Sequence, residues 1–520
     1  MKFLLVLLSV LSLGSSYKIL FMVPFPGPSH WLWMTKFADE LLSRGHELTV
    51  VTAFKKSTEP HPNYTEILMD PIYDFSKSFN KEAIFDMNFK SDFAGLEMYW
   101  NLGLETAEFA LNDKRVKELI ERTDNPFDCF IMEQFFTESF LMFGYKFNVP
   151  TVTLSTLPNS HHLDYLMGLL SPWSNVPHFM LPYNDDMTFR ERSHNTVLTL
   201  YDLFYRNTHY MPKMQEMAEK HFGKHIKGEI PSISDLEKKV SMVLVNSHRA
   251  TDSPRPTISG LVDIGGAHIQ KPKPLPEDIR KFIESAEEGV VYFSLGSFMK
   301  STDMPKKKLE IIIKGLSQLK QKVIWKYEDE SIQNLPKNIL IKKWMPQSDI
   351  LSHKNVRLFI THGGRFGTLE GTYWGKTMLA IPLFGDQHTN VQRLKKQGIA
   401  LSLDFLTFTS EELVQKIETL LTEPYVQKAK KISTLFQDNP IHPMDEAMYW
   451  IEYVIKHNGA PHLKSKAVNL NVLEYLLLDV LFIHAVFLMV VGFVIYMVFK
   501  MLVRFIFAKK SKKGFNKKRN

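Results

Sequence analysis

The chain alternates short apolar runs with segments of helical spacing. Residues 17–25 read as a buried strand, 31–43 as a helix stopped by Gly45, and 47–53 as a second strand. That β-α-β opening predicts a doubly wound α/β sheet. Strand-type runs recur at 128–132, 151–155 and 243–246, the last reading as the final strand of this sheet. Arg255-Pro256 and the Lys/Pro run 271–276 then mark a semi-rigid linker. A second series follows at 289–294, 322–325, 339–342, 356–360 and 377–383. Residues 367–371 open a helical pattern, and 445–456 form an amphipathic helix with Asp445 as its N-cap. At 520 residues, two cores are expected.

The two ends differ from this pattern. Residues 1–16 carry Lys2, a Leu/Val stretch and small Gly14-Ser15-Ser16, the layout of a cleavable secretory signal. Residues 480–499 contain no Lys, Arg, Asp or Glu over twenty positions, enough to span a bilayer. The basic run after it favours a span with a cytosolic tail over a buried core helix, hence type I topology. Asn63-Tyr64-Thr65 is the acceptor sequon, a glycan site if that domain is lumenal.

Charge changes the picture once. The net charge of +7 invites a nucleic-acid reading. Residues 500–520 hold nine Lys and Arg and no acid, so the remainder of the chain is near −2. The basicity is a tail rather than a groove, and no nucleic-acid partner is expected. Cys129 is the single cysteine, so no intrachain disulfide can form, and its apolar strand makes it a buried thiol.

Candidate chemistry gathers at the carboxyl ends of predicted strands, where open α/β sheets bind ligands. Thr361-His362-Gly363-Gly364 leads from one strand into a helix. Free N–H groups and the helix dipole make such a turn a phosphate cradle, although most GGxxG turns are only tight connections. Asp386-Gln387 follow the next strand with no evident packing reason. Gly296 and Ser297 follow another. In the first sheet, His30 lies in the proline-rich turn beyond the first strand. A histidine there more often caps or faces solvent, but a helix start also favours the neutral imidazole a general base needs. Glu133 follows strand 128–132, whereas Asp128 stands at its wrong end. Segments 69–111 and 157–217 are rich in aromatics and Met, which suit either a core or an apolar pocket.

Trp344, Pro346-Gln347, His362-Gly363-Gly364, Glu370, Pro382 and Asp386-Gln387, in this order and spacing, resemble the donor-binding signature of the UDP-glycosyltransferases. The membrane-bound UDP-glucuronosyltransferase type is the nearest match. FSLGS at 293–297, PMDEAMYWIEYV at 443–454 and both termini are similar too. The resemblance spans nearly the whole chain and is thinnest over 54–125 and 157–236. It implies that His30 is the general base, within Pro28-Ser29-His30, oriented by a carboxylate at position 133. Glu133 replaces the usual Asp there and is one methylene longer. Trp344 would stack on uracil, Gln347 bond the nucleoside, and Glu370 accept from the ribose hydroxyls. Gly296, Ser297, His362, Gly364 and the N–H groups of Gly367 and Thr368 would hold the diphosphate. Asp386 and Gln387 would bind the sugar. Arg365 and Phe366 replace small or amide residues, so a phosphate contact there falls to backbone or to Arg365. The terminal Lys517-Lys518-Arg519-Asn520 resembles a dilysine endoplasmic-reticulum retrieval signal.

The expected architecture is two Rossmann-like domains facing across a cleft, the GT-B arrangement. The divisions are a signal at 1–16, an acceptor domain at 17–262 and a UDP-sugar domain at 263–442. Helices crossing back follow at 443–475, then a membrane helix at 476–499 and a tail at 500–520. The expected reaction is inverting transfer of a hexose from UDP-glucose, with UDP-glucuronate as the other donor, to a small lipophilic hydroxyl at the lumenal endoplasmic-reticulum membrane. A glucuronate carboxylate would need a cation, for which Arg255 and Arg365 are the candidates. Asp303 and Asp329 are isolated, so no metal and no cofactor is expected, and a homo-oligomer stays open. Two rivals are a silent UDP-sugar-binding protein and a membrane receptor for a small apolar ligand.

Overall fold

The computed structural model describes residues 16–56, 61–69, 91–332 and 334–516. The signal segment up to residue 15 and the terminal lysines at 517 and 518 lie outside the described residues. The chain forms two compact units, the first ending at Lys464 and the second beginning at Ser465.

The first unit opens with β1 (Lys18–Val23), α1 (Pro28–Ser43), β2 (Glu47–Thr52) and β3 (Tyr64–Leu68). Next come α2 (Asp92–Asn112), β4 (Cys129–Glu133), β5 (Thr151–Ser155), β6 (Met242–Val245) and β7 (Leu261–Asp263). These seven strands make one parallel sheet in the order β3-β2-β1-β4-β5-β6-β7. Every residue of β4, β5 and β6 is buried, which is why they read as unbroken apolar runs. β6 is not the last strand: short β7 adds an edge, so residue 263 pairs with the first sheet. The edge strand β3 falls in the weakly patterned stretch, with half-buried rather than buried side chains.

A second parallel sheet, β10-β9-β8-β11-β12-β13, follows. In chain order its elements are β8 (Val290–Ser294), β9 (Lys322–Lys326), β10 (Ile339–Lys342), α3 (Gln347–Ser352) and β11 (Val356–Thr361). They continue with α4 (Arg365–Tyr373), β12 (Thr377–Ala380), α5 (Asp386–Lys396) and β13 (Ala400–Ser402). The apolar run expected as a strand to residue 383 leaves the ladder after Ala380, and Leu383 turns toward α5. Strand order reverses between β1 and β4 in one sheet and between β8 and β11 in the other. Each reversal opens a crevice beyond the strands' carboxyl ends.

Helix α6 (Pro443–Lys456) returns to the first sheet. Its Met448, Ile451 and Val454 are fully buried in one cluster with Phe37, Ala38 and Leu41 of α1. Each large side chain so buried stabilises by about 1.5–3 kcal/mol. Its N-cap is His442, which accepts from the Met444 amide, rather than Asp445. Asp445 lies in the first turn and pairs with Arg44 at 2.8 Å.

The second unit carries α7 (Leu478–Asn516). Its stretch Leu478–Ala508 is long and apolar enough to cross a membrane. The helix runs on past residue 499, because Met501, Leu502, Phe505, Ile506 and Phe507 keep it apolar. The expected tail at 500–520 therefore begins as helix.

Candidate functional site: a cavity between the two sheets

The carboxyl ends of β1, β8 and β11 meet around a cavity of about 430 Å³. From the first sheet it is lined by Phe25, His30, Trp33, Tyr99, Phe135 and Thr156. From the second come Gly296, Ser297, Trp344, Gln347, His362, Gly364, Gly367, Glu370, Asp386 and Gln387. Of the residues given a catalytic or donor-binding role from sequence, all but Glu133 and Thr368 line this space; Gly363, Pro382, Arg255 and the sequon Asn63 lie outside it.

His30 is the third residue of α1, whose first position is Pro28, where a missing N–H costs nothing. Its Nδ1 is hydrogen-bonded to a carboxylate oxygen of Glu133, the last residue of β4. Glu133 is 1 % exposed and stands behind the histidine, out of the cavity. With Nδ1–H donating, the Nε2 lone pair is left for a substrate proton. Phe25 and Phe135 each pack edge-on against the imidazole with centroids at 4.7 Å. Phe366 approaches from α4 at 6.3 Å and also meets Trp33. Asp128 faces away and accepts from the Lys18 amide.

His362 follows β11 and is wedged between two glycines. A Cβ on Gly296, where φ is +85°, would lie 2.7 Å from the imidazole, and one on Gly364 would lie 2.3 Å from its Nε2. Burial, helped by the Lys326 charge, pushes the His362 pKa down to about 4. The ring is therefore neutral near pH 7, a hydrogen-bond partner for phosphate rather than a cation. Gly364 caps α4 without a side-chain bond, so the first-turn N–H groups of Arg365, Phe366 and Gly367 face the crevice. Thr368 departs from expectation. Its N–H donates to the Gly364 carbonyl at 3.1 Å and its hydroxyl to the Arg365 carbonyl at 2.9 Å. As the fourth helical residue it already has an intrahelical partner.

Gln347 opens α3 and donates to Glu370 at 2.5 Å. Burial pushes the Glu370 pKa up to about 7, against the Gln347 hydrogen bond. Trp344 is 61 % exposed at the cavity rim, so it is no core residue. Asp386 is the first residue of α5, with its pKa raised by burial and Asn390 donating to it at 2.6 Å. The Gln387 side-chain carbonyl accepts from the Leu383 and Phe384 amides, leaving its NH₂ for a ligand.

The two arginines considered for a sugar carboxylate are both committed elsewhere. Arg365 is 5 % exposed, grips both oxygens of Asp252 and donates to the Asn246 carbonyl at 2.7 Å. Arg255 pairs with Asp164 and donates to the Asn159 carbonyl at 2.9 Å. Asp252 also takes Arg393 of α5 at 2.9 Å, tying both donor-side helices to the first sheet's loops. Thr389 of α5 adds bonds to the Phe179 and Leu181 carbonyls.

Thr156, Tyr99 and Lys326 also line the cavity and were not singled out from sequence. Thr156 directly follows β5, so the strand-end rule that selected His30 and Glu133 would have found it. Of the aromatic-rich segments, Met98, Tyr99, Leu102 and Leu157 reach the cavity, whereas Trp100 is buried and bonds Asp202. Cys129 is fully buried, and burial drives its thiol pKa far up. Among the described residues, Glu138, His162 and Glu237 have ligand-like spacing, away from this cavity. Tyr210 and Arg206 already bond Glu138 and Glu237.

Residues 18–514 match the family model described as UDP-glucoronosyl and UDP-glucosyl transferase. The chain is 34% identical over 509 residues to UDP-glycosyltransferase UGT5 of Dactylopius coccus, covering 97% of this chain and 95% of that one. It is 31% identical over 512 residues to human UDP-glucuronosyltransferase 2B15, covering 95% and 94%. Among solved structures, the calicheamicin glycosyltransferase CalG4 superposes with a TM-score of 0.57 at 15% identity, covering 84% of this chain and 99% of that chain. That likeness shows the shared two-sheet fold. With the family model and relatives running the length of the chain, this protein belongs to the UDP-glucuronosyl and UDP-glucosyl transferases, enzymes that move a sugar from a UDP-sugar to an acceptor.

Proposed function

We propose that the enzyme transfers glucose from UDP-glucose to the hydroxyl of a small lipophilic acceptor with inversion, giving a β-glycoside. The observation that carries this reading is the shared cavity, which brings His30 of one sheet and the donor-side residues of the other to the same space. His30 Nε2 takes the acceptor proton as the acceptor oxygen attacks the anomeric carbon. The bond from that carbon to the β-phosphate oxygen breaks, and UDP leaves. A single displacement inverts an α-linked donor. The first-turn amides of α4 and neutral His362 receive the diphosphate charge, so the reading needs no metal. Trp344, Gln347 and Glu370 take the uridine, and Asp386 with the Gln387 NH₂ takes the sugar. Phe25, Phe135, Met98 and Leu102 suit an apolar acceptor beside His30.

Glucose rather than glucuronate is favoured because Arg255 and Arg365 already serve Asp164 and Asp252. The cavity lysines are Lys36, Lys271, Lys273 and Lys326. Lys326 pairs with Glu328, and Lys36 acts on Glu370 at the nucleoside end. The run carrying Lys271 and Lys273 is held there by the Lys273 amide donating to Asp349, two residues after Gln347. Asp386 at the sugar end would repel a second carboxylate. The apolar α7, the signal-like leader and the basic tail support a type I endoplasmic-reticulum protein with this cavity in the lumen. The test compares kcat/KM for UDP-glucose and UDP-glucuronate on one phenol. A clear preference for UDP-glucuronate would refute the donor assignment and leave the transfer chemistry standing.

A further inference from the structure

Glu133 is one methylene longer than an Asp would be, and a longer carboxylate has an additional torsion to restrain. One of its oxygens, Oε2, is buried with no hydrogen-bond partner among the described residues. All of its polar contacts converge on Oε1, which accepts from His30 and, at 3.0 Å, from the Thr156 hydroxyl. Thr156 Oγ1 also lies 3.2 Å from His30 Nδ1 and is 1 % exposed. The hydroxyl thus touches both members of the pair from the end of β5, the strand beside β4.

We infer that Thr156 is a positioning residue for the base: its hydroxyl holds Glu133 on the Nδ1 side of His30 and shares the carboxylate's charge. The inference rests on His30 acting as the general base. A carboxylate that loses its second donor is less anchored and more basic. The less anchored carboxylate slows the proton transfer, and the more basic one stabilises the imidazolium. Among the described residues, Asp386 at the head of α5 interacts with His30 and with Arg365, which Asp252 neutralises, and Lys36 of His30's own helix lines the same cavity. Substitution at Thr156 alters none of these.

The experiment uses the full-length enzyme in membranes, with UDP-glucose and a phenol, and compares wild type, T156V, T156S and H30A. Valine keeps the shape and removes the hydroxyl, whereas serine keeps it. For T156V, kcat should fall about tenfold with donor KM unchanged. The acid limb of its kcat/KM profile should move up by about half a pH unit or more. T156S should restore both. A T156V enzyme that loses activity with an unmoved limb, or that T156S fails to rescue, would overturn the inference and leave Thr156 a packing residue. T156V matching wild type while H30A is dead would overturn it and leave the base intact. Near-normal turnover by H30A would overturn the base assignment and this inference with it.

Discussion

Glu370 offers a titration that reads out donor binding. Burial sets its pKa at about 7 in the free enzyme, so near neutral pH about half of the molecules carry the carboxylate. With Glu370 on the ribose as proposed, only the ionised form accepts from both hydroxyls, so the donor selects it and binding releases a proton. Affinity should therefore be lost as pH falls through about 7. About ten in eleven groups are ionised one unit above that pKa, and about one in eleven one unit below. UDP-glucose should bind about tenfold more weakly at pH 6 than at pH 8, a difference of about 1.4 kcal/mol. His362 stays neutral across this window, since its pKa is about 4. UDP-glucose is the right probe because its diphosphate is esterified at both ends, whereas the terminal phosphate of UDP titrates near pH 6. Calorimetry on the detergent-solubilised full chain, wild type against E370Q, isolates the term. The amide cannot ionise, so E370Q should bind more weakly at pH 8 and lose the tenfold dependence. Equal pH slopes for the two proteins, or a flat wild-type curve, would refute the assignment of Glu370 to the ribose.

Three further outcomes are expected. D252N leaves Arg365 and Arg393 buried without their counter-charge. Breaking such a network costs about 3–5 kcal/mol. Thermal inactivation should be markedly faster and donor KM higher, and an unchanged half-life at matched temperature would contradict the network's importance. G364A places a Cβ 2.3 Å from His362 Nε2. The displaced ring should cut kcat/KM for the donor by about tenfold or more, while the circular dichroism spectrum stays as in wild type. Asn63 is half-buried in the turn before edge strand β3. In microsomes, endoglycosidase should remove one glycan, and N63Q should lack that mobility shift. An unmodified Asn63 together with a tail protected from added protease would mean the orientation is reversed.

How much of this was legible from the chain follows from the range of the forces involved. Residues 151–155 read as a strand and are one, because a fully buried parallel strand is a local apolar run. His30, Gly296, His362 and Asp386 read as strand-end residues and line one cavity, because strand ends and glycine turns are also local and a parallel sheet gathers its carboxyl ends on one side. Where a boundary was misread, local continuity misled: the apolar run through Leu383 continues past the ladder, and α7 continues past residue 499. Asp445 looked like a cap by type, yet His442 reached the free amides first.

Partnership was not legible. Arg365 stands beside the phosphate turn in sequence and reads as an anion contact. Its guanidinium instead turns to Asp252, 113 residues away, because a buried cation takes the nearest buried carboxylate. Gln387 reads as a sugar ligand in the sequence, but its carbonyl holds the Leu383–Phe384 turn and only its NH₂ is left. Thr368 lost its N–H to the helix it belongs to. Thr156 is marked in the sequence only as a strand-end residue; its contact with Glu133 exists because β5 lies beside β4. The sequence by itself therefore determined the two sheets, the family and the end of each sheet where chemistry gathers, since those depend on periodicity and turn chemistry. The tertiary structure alone decided which polar groups remain free for a ligand, because a buried group's first partner is set by packing between segments far apart in the chain.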